Sequence, residues 1–447
     1  MTTFVSFVIV IGILILVHEL GHFFVARWMG VGVDRFSIGF GPVLLRWRRK
    51  DTEYCLSAVP MGGYVKMMGE ESPVEGGGSD DVDAAKSFAL KPLWVRALIV
   101  SAGPVMNFAL AAMIFAGFFA LVGRPVDPAV LGQIEPDGPA AQASLETGDR
   151  VVAVDGRPVT HWEDLFQAVQ DADGETTQFT VRRGVDERTV ALTPTRSTVR
   201  DILGDQEEVW SLGARPYLPP KIGNVLPGYP AAKAGLETGD SIVALDGSPV
   251  ATWDDLAEEI RKRPGQEVEL TVERGEETLT VSITPRAITE RTLTGEETEV
   301  GRIGISRASS AIYVRSNPVV AVRRGLVHTL DITKFTLVAF WKLVTGQLPT
   351  STLGGPIQIA VVAGEQARQG VTSLALFIAV ISVNLAILNL LPVPMLDGGH
   401  LLFFAFEAVM GRPLSLRKRE LAQQVGLVLL LLLMVFAVYN DLARIFR

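Results

Sequence analysis

The chain has 447 residues, 48% of them hydrophobic, and its 41 Lys and Arg face 49 Asp and Glu for a formal net charge of −8. A mean hydropathy of +0.31 is high for a soluble protein of this length and points to several membrane spans joined to polar domains. The acidic balance excludes a general nucleic-acid binder, and the single Cys55 excludes an internal disulfide and any cysteine-rich metal site.

Residues 1–30 are expected to form a first transmembrane helix, with a span of about Phe4–Val25. Its apolar run, Phe4–Val17, is followed at once by His18-Glu19-Leu20-Gly21-His22. On a helix this spacing sets two imidazoles one turn apart on one face, and Glu19 between them suits a general base toward a water that a metal activates. A satisfied pair of core histidines in a soluble helix is the plainer explanation. It fails on context, because a helix apolar on every face is buried or in lipid, and ionisable groups there are functional candidates by default. A zinc hydrolase working inside a bilayer is the first hypothesis. The run lacks a basic leader and itself carries the motif, so a cleavable signal peptide is not expected.

Residues 31–95 read as a β-hairpin or re-entrant region on the cytoplasmic side, followed by a loop. Phe36–Pro42, Val43–Trp47 and Tyr54–Val59 are expected as paired strands with a charged turn at Arg48–Asp51. Pro60–Met67 is expected as another strand and Gly69–Asp83 as a flexible connection. A second span over 96–123, about Ala97–Val122, holds Ala102-Gly103-Pro104 and Asn107.

An internal repeat follows. Pro139-Ala140-Ala141, Leu145-Glu146-Thr147-Gly148-Asp149, the strand Val151–Val154, Asp155-Gly156 and Trp162 recur from Pro230 onward, 91 residues later (230 minus 139), ending at Trp253. Small residues open a short helix, Gly-Asp turns into a strand, Asp-Gly makes a tight turn and an amphipathic helix follows. This spelling resembles PDZ domains of the circularly rearranged bacterial type, over 126–215 and 216–305. Such folds bind peptides by adding a strand to a sheet edge; copies that only shield or space are the alternative.

Residues 306–372 are expected as linker and an amphipathic helix, Leu326–Val344, lying on the membrane surface, since His328, Asp331, Lys334 and Lys342 interrupt it. A third transmembrane region, 373–411, begins with a span of about Leu374–Leu391. The fourth helix and a short tail occupy 420–447, with a span of about Val425–Val438.

Two histidines leave a catalytic zinc site short of a third protein ligand. Candidates lie in Asn389-Leu390-Leu391-Pro392-Val393-Pro394-Met395-Leu396-Asp397-Gly398-Gly399-His400. Asp397 follows a Pro-broken stretch where backbone can wrap a metal, whereas His400 is the commoner ligand type, and residue type alone leaves them even. The polar repeat after the second span makes the first and third spans cross in the same direction, so both motifs reach the same side. Arg46, Arg48, Arg49 and Lys50 in the first loop and Arg412, Arg417, Lys418 and Arg419 in the last mark that side as cytoplasmic. His161 and His328 belong to the other side.

Together these motifs resemble the site-2 protease family over nearly the whole chain: the His18–His22 motif in a first span, Gly39-Phe40-Gly41-Pro42, Gly62-Gly63-Tyr64-Val65-Lys66-Met67, Ala102-Gly103-Pro104 with Asn107, the doubled PDZ spelling, and the stretch from Asn389 to Gly398. The resemblance implies a multi-pass α-helical membrane protein of about four spans, with a membrane-associated β-element and two extracytoplasmic α+β PDZ domains in tandem. It implies one zinc per chain, held by His18, His22 and Asp397, with Glu19 as catalytic base. Asn389 would help hold an unwound substrate, and Tyr64, Val65, Lys66 and Met67 would present an edge strand to it. Pro392 and Pro394 would widen the third span for entry. The implied setting is the inner membrane, with the PDZ domains periplasmic and the active site toward the cytoplasm. The implied substrate is a single-pass membrane protein of the anti-sigma-factor type. A site-1 protease would trim it first, and the second cut would fall within or near its transmembrane segment, in envelope stress signalling. Signal-peptide remnants are a second substrate class. Two rival classes remain. A scaffold would bind extracytoplasmic tails through the PDZ copies, with the His18–His22 motif as a structural metal site and no catalysis. A transporter is disfavoured because the only repeat is in the polar region.

Overall fold

A computed structural model describes residues 2–69, 84–200, 203–291, 297–309 and 311–446. From residue 70 onward, the connection expected over Gly69–Asp83 lies outside the described residues. The chain divides into two compact units, Met1–Gly123 with Arg315–Arg447, and Arg124–Val314.

In the first unit, helix α1 (Thr2–Trp28) runs without proline through the apolar segment. In lipid each backbone group must be paired within its own segment, which makes a helix of a β-branched run that water would not favour. Gly30 ends it at φ 70°, and the Val31 amide returns to the Ala26 carbonyl at 2.8 Å, a Schellman cap. Strands β1 (Val33–Arg49) and β2 (Thr52–Met67) follow. The segments expected as separate strands are therefore two long bent ones. Gly39, Gly41 and Gly62, at φ 88°, 84° and 138°, let the chain turn back without breaking the ladder. Residues 35–38 pair with 53–56 on one side and with 63–66 on the other, while 43–49 pair with 52–57. The run 63–67 is thus an outer edge, paired on one side among the described residues. Phe23, Phe36, Met67, Val95 and Ile99 form the core that seats this sheet on α1 and on α2 (Leu93–Leu121).

After the second unit the chain returns in α7 (Pro318–Val344), α8 (Pro356–Gln369), α9 (Val371–Leu390), α10 (Asp397–Met410) and α11 (Leu416–Ile445). Helices α1, α2, α9 and α11 are long and apolar enough to cross a membrane. The helix expected from Leu326 begins at Pro318, capped by Asn317, and is packed against protein. Ala321 shares a core with α2 and α9, and a Cβ at Gly325 would stand 2.7 Å from the Ala112 carbonyl of α2. Helix α8 falls where the sequence indicated only linker. It carries no cap of its own; the buried Asp441 carboxylate of α11 accepts the amides of Gly355, Ile357 and Gln358 at 2.9, 3.0 and 3.1 Å. The third transmembrane region resolves into α9, a break at 391–396 and α10, so Asp397 stands at the first turn of a new helix.

The second unit holds two copies of one pattern. The first has a four-stranded sheet, Arg157–Pro158, Arg150–Val154, Thr177–Arg183 and Asp186–Leu192 in spatial order, with helices α3 (Pro139–Gln142) and α4 (Trp162–Asp171). The second repeats it with Ser248–Pro249, Ser241–Leu245, Val268–Arg274 and Glu277–Ile283, and with helices α5 (Pro230–Lys233) and α6 (Trp253–Arg261). Leu131, Val151, Leu165 and Phe179 fill one core, and Ile222, Ile242, Leu256 and Leu270 fill the other at equivalent positions. Strand Ala214–Pro216 pairs with Leu131–Ile134, which places Pro216 in the first copy. Strand Ile305–Arg307 pairs with Ile222–Val225, which extends the second copy past 305.

Candidate metal centre and cleft

Helix α1 sets His18 and His22 edge to face, ring centroids 4.8 Å apart, with their Nε2 atoms 3.2 Å from each other. Asp397 of α10 completes the group: Oδ2 lies 3.1 Å from His18 Nε2, and Oδ1 lies 3.6 Å from His22 Nε2. The three residues form a metal-competent cluster among the described residues. Bonds of about 2.0–2.1 Å to a tetrahedral zinc would space its ligand atoms about 3.3 Å apart, close to the separations found. Asp397 Oδ2 is buried with no hydrogen-bond partner, and lone pairs converge on one small space, a repulsive arrangement that a cation relieves. The donor set of two imidazoles and one carboxylate therefore fits zinc on this structure's own geometry.

Helix α2 passes directly beneath the imidazoles. A Cβ at Gly103 would collide with His22 and stand 2.7 Å from His18 Cε1, so only glycine allows this approach. His22 Nδ1 faces the Ile99 carbonyl at 2.9 Å, and His18 Nδ1 faces the fully buried Asn107 amide at 3.3 Å. In a metal site such contacts fix which ring nitrogen points at the ion.

A cavity of about 280 Å³ opens beside His18 and Asp397, lined also by Ile15, Glu19, Gly62, Gly63, Asn389 and Leu396. Glu19 sits against the sheet; a Cβ at Gly63 would be 3.2 Å from its Cγ. Asn389 Nδ2 is 3.5 Å from both ring nitrogens of His18, beside the ring rather than in line with either.

The other expected residues lie further out. Tyr64, Val65, Lys66 and Met67 continue the edge run past Gly62 and Gly63, but their side chains do not line the cavity. The Tyr64 hydroxyl accepts from Arg35 at 3.3 Å, and Val65 and Met67 join the core around Phe23. Pro392 and Pro394 occupy the break between α9 and α10, with Pro394 against Gly426 of α11. His400, one turn into α10, lies outside the metal-competent group and packs near Phe403. His328 meets Phe115 edge to face with centroids 4.6 Å apart, and His161 precedes α4 in the other unit. Sequence reasoning did not give site roles to Ile99, Gly103, Asn107, Gly62 or Gly63. A polar Asn107 beside Gly103-Pro104 in an apolar span was the signal available for the first group; the glycines offer no side-chain chemistry to read.

The pattern of Peptidase family M50 matches residues 6–433. The regulator of sigma-E protease RseP of Escherichia coli (strain K12) is 38% identical over 458 residues, covering 98% of each chain. The protease RseP of Yersinia pestis is 36% identical over 465 residues, again 98% of each. A Neisseria meningitidis serogroup A protein that carries a zinc metalloprotease name is 36% identical, with 100% of each chain covered. Among solved structures, the PDZ domain of the SdrC-like protein of Listeria monocytogenes is similar over 21% of this chain and 90% of its own, at 23% identity and a TM-score of 0.17.

Proposed function

The chain belongs to Peptidase family M50, the site-2 proteases, and is a zinc metalloprotease; on that premise we propose that it cuts single-pass membrane proteins within or near their transmembrane segments. The observation that carries the residue assignment is the mutual spacing of His18 Nε2, His22 Nε2 and the Asp397 carboxylate, with Glu19 lining one cavity together with His18 and Asp397.

In this reading His18, His22 and Asp397 would hold the zinc, which when bound would supply Lewis-acid polarisation of the scissile carbonyl and make the attacking water more acidic. Glu19 takes the proton of the attacking water and delivers it to the leaving amine. A transmembrane helix hides its amides in i to i−4 bonds, so the substrate must be locally extended before attack, and each group exposed in lipid costs several kcal/mol. The edge run from Gly62 and Gly63 into Tyr64–Met67 offers backbone partners by strand addition, and the Asn389 amide offers a further one. The break at Pro392 and Pro394 leaves room for the extended chain beside Asp397.

The substrate class is the anti-sigma-factor type, trimmed first by a site-1 protease, with signal-peptide remnants as a second class. The names of the relatives support a place in the sigma-E pathway. The charge of the loops supports an inner-membrane protein whose site faces the cytoplasm and whose two copies, PDZ domains in tandem, lie on the periplasmic side. A bulky pair there excludes untrimmed substrates.

The test is incubation of the purified protein with a panel of single-span substrates, with and without a chelator, and with Glu19→Gln as control. Cleavage that chelation and Glu19→Gln both abolish is expected. A Glu19→Gln variant that keeps full function would favour the scaffold reading instead.

A further inference from the structure

Nε2 is the atom of His18 that faces the other two ligand candidates, at 3.2 Å from His22 Nε2 and 3.1 Å from Asp397 Oδ2. A neutral imidazole carries its proton on the nitrogen that is not a ligand, so His18 must be protonated at Nδ1 for Nε2 to bind a metal. A protonated Nδ1 buried in apolar surroundings requires an acceptor. For His22 the Ile99 carbonyl meets that need at 2.9 Å. For His18 Nδ1 the partners among the described residues are the Asn107 amide at 3.3 Å and, beside the ring, the Asn389 amide at 3.5 Å; both present Nδ2, a donor, while Asn107 Oδ1 is buried without a partner. Two problems thus meet at one side chain: a ring nitrogen lacking an acceptor and an amide oxygen lacking a donor.

Resting on the reading that His18, His22 and Asp397 hold the zinc, we propose that Asn107 is the positioning residue for His18, its side-chain oxygen accepting the Nδ1 proton when metal is bound. A half-turn of the amide about its terminal bond exchanges two groups of nearly equal size and resolves both problems. Helix α2 then gives each imidazole one oxygen acceptor, the Ile99 carbonyl and Asn107 Oδ1, eight residues or about two turns apart on one helix. The Asn107 backbone is itself fixed, since the Ser382 hydroxyl of α9 donates to its carbonyl at 2.8 Å. Asn107 touches no substrate in this account; it holds a ligand in the tautomer and orientation the metal needs.

The test measures zinc affinity of the full-length purified protein by chelator competition, for wild type, Asn107→Leu and Asn107→Asp. Asn107→Leu is expected to raise the zinc Kd about 10- to 100-fold, the usual effect of removing such a partner. Asn107→Asp retains an acceptor but no donor, and is expected to stay within about threefold of wild type or to bind more tightly. An unchanged Kd in Asn107→Leu overturns the proposal, and so does an Asn107→Asp variant as weak as Asn107→Leu, because the amide would then act as donor. Should Asn107→Leu not fold, proton–nitrogen histidine spectra of zinc-loaded wild type and Asn107→Asp decide the matter, with His18 assigned through His18→Ala: a His18 Nδ1 proton that moves downfield when the acceptor becomes a carboxylate supports the proposal, and an unmoved one overturns it. His18→Ala and Asp397→Ala run alongside: zinc retained at full affinity in both would sink the ligand assignment itself, whereas zinc lost in both but kept in Asn107→Leu sinks only the role of Asn107.

Discussion

Both ring nitrogens of His22 are engaged, Nδ1 with the Ile99 carbonyl and Nε2 with His18 Nε2 and the Asp397 carboxylate, and Asp397 Oδ2 is a buried oxygen with no hydrogen-bond partner. The histidine pair was legible because four residues on a helix is a local relation that sequence states directly. The third ligand was named only by the family resemblance, since Asp397 and His400 differ by one helical turn and spacing along the chain cannot tell which points inward. In the structure Asp397, at the first turn of α10, lies 3.1 Å from His18 Nε2, whereas His400 packs near Phe403, which supports the proposed assignment of Asp397. Accordingly, His400→Ala is expected to keep stoichiometric zinc, whereas Asp397→Ala loses it; metal analysis of the two variants checks this. Asn389 stands beside the ring of His18 at the limit of hydrogen bonding, at the cavity rather than in the ligand set. Asn389→Leu is therefore expected to lower kcat/KM on a single-span substrate by about tenfold or more, equivalent to about 1.4 kcal/mol, while zinc content stays unchanged. Undiminished cleavage would remove Asn389 from the mechanism.

At the scale of elements, helix α2 is the frame. It supports both imidazoles, and near its start Arg96 forms a two-pronged pair with Glu407 of α10, at 2.5 and 3.2 Å, with the guanidinium 5.0 Å from the centre of the Phe404 ring. The helix that carries Asp397 is thus fastened to the helix that aligns the histidines. Glu407→Leu leaves Arg96 largely buried and unpaired and is expected to destabilise the unit by about 3 kcal/mol, read as a lower thermal midpoint. The exchange Arg96→Glu with Glu407→Arg is expected to recover part of that loss, and a double variant no better than the worse single one would contradict the account. Long apolar helices were legible because composition alone states them. Helix α8 was not, because its cap comes from Asp441, more than 80 residues away in sequence. The strands β1 and β2 were read as fragments because glycine usually marks a break, whereas Gly39, Gly41 and Gly62 here mark bends within continuous pairing.

Across the whole molecule, the repeat was the most legible feature, since a 91-residue period fixes equivalent positions without any geometry. It extends to electrostatics: Asp149 pairs with Arg183 at 2.7 Å, and Asp240 pairs with Arg274 at 2.8 Å. The hydrogen bond from Arg274 holds the Asp240 carboxyl below its ordinary value; burial alone would raise that of Asp149, and Arg183 reverses the direction. A carboxylate depressed in the folded state stabilises it above the unfolded value of about 3.9, and that stabilisation is lost as pH falls through the lower folded value. The urea midpoint of the polar unit is therefore expected to fall below about pH 4, and Arg274→Met is expected to lower the midpoint at pH 7 and flatten its decline in acid. An unchanged acid profile in Arg274→Met would contradict this. Removal of residues 126–305 is expected to let untrimmed single-span substrates be cut, and intact substrates left uncut by such a variant would refute the size filter. The central claim is that α1 and α10, separated by most of the chain, share one zinc ion. Metal content of the purified full-length protein tests it most directly: one zinc per chain is expected, falling to near zero in Asp397→Ala with helix content retained. Wild-type protein without stoichiometric zinc, or Asp397→Ala with a full complement, would contradict it.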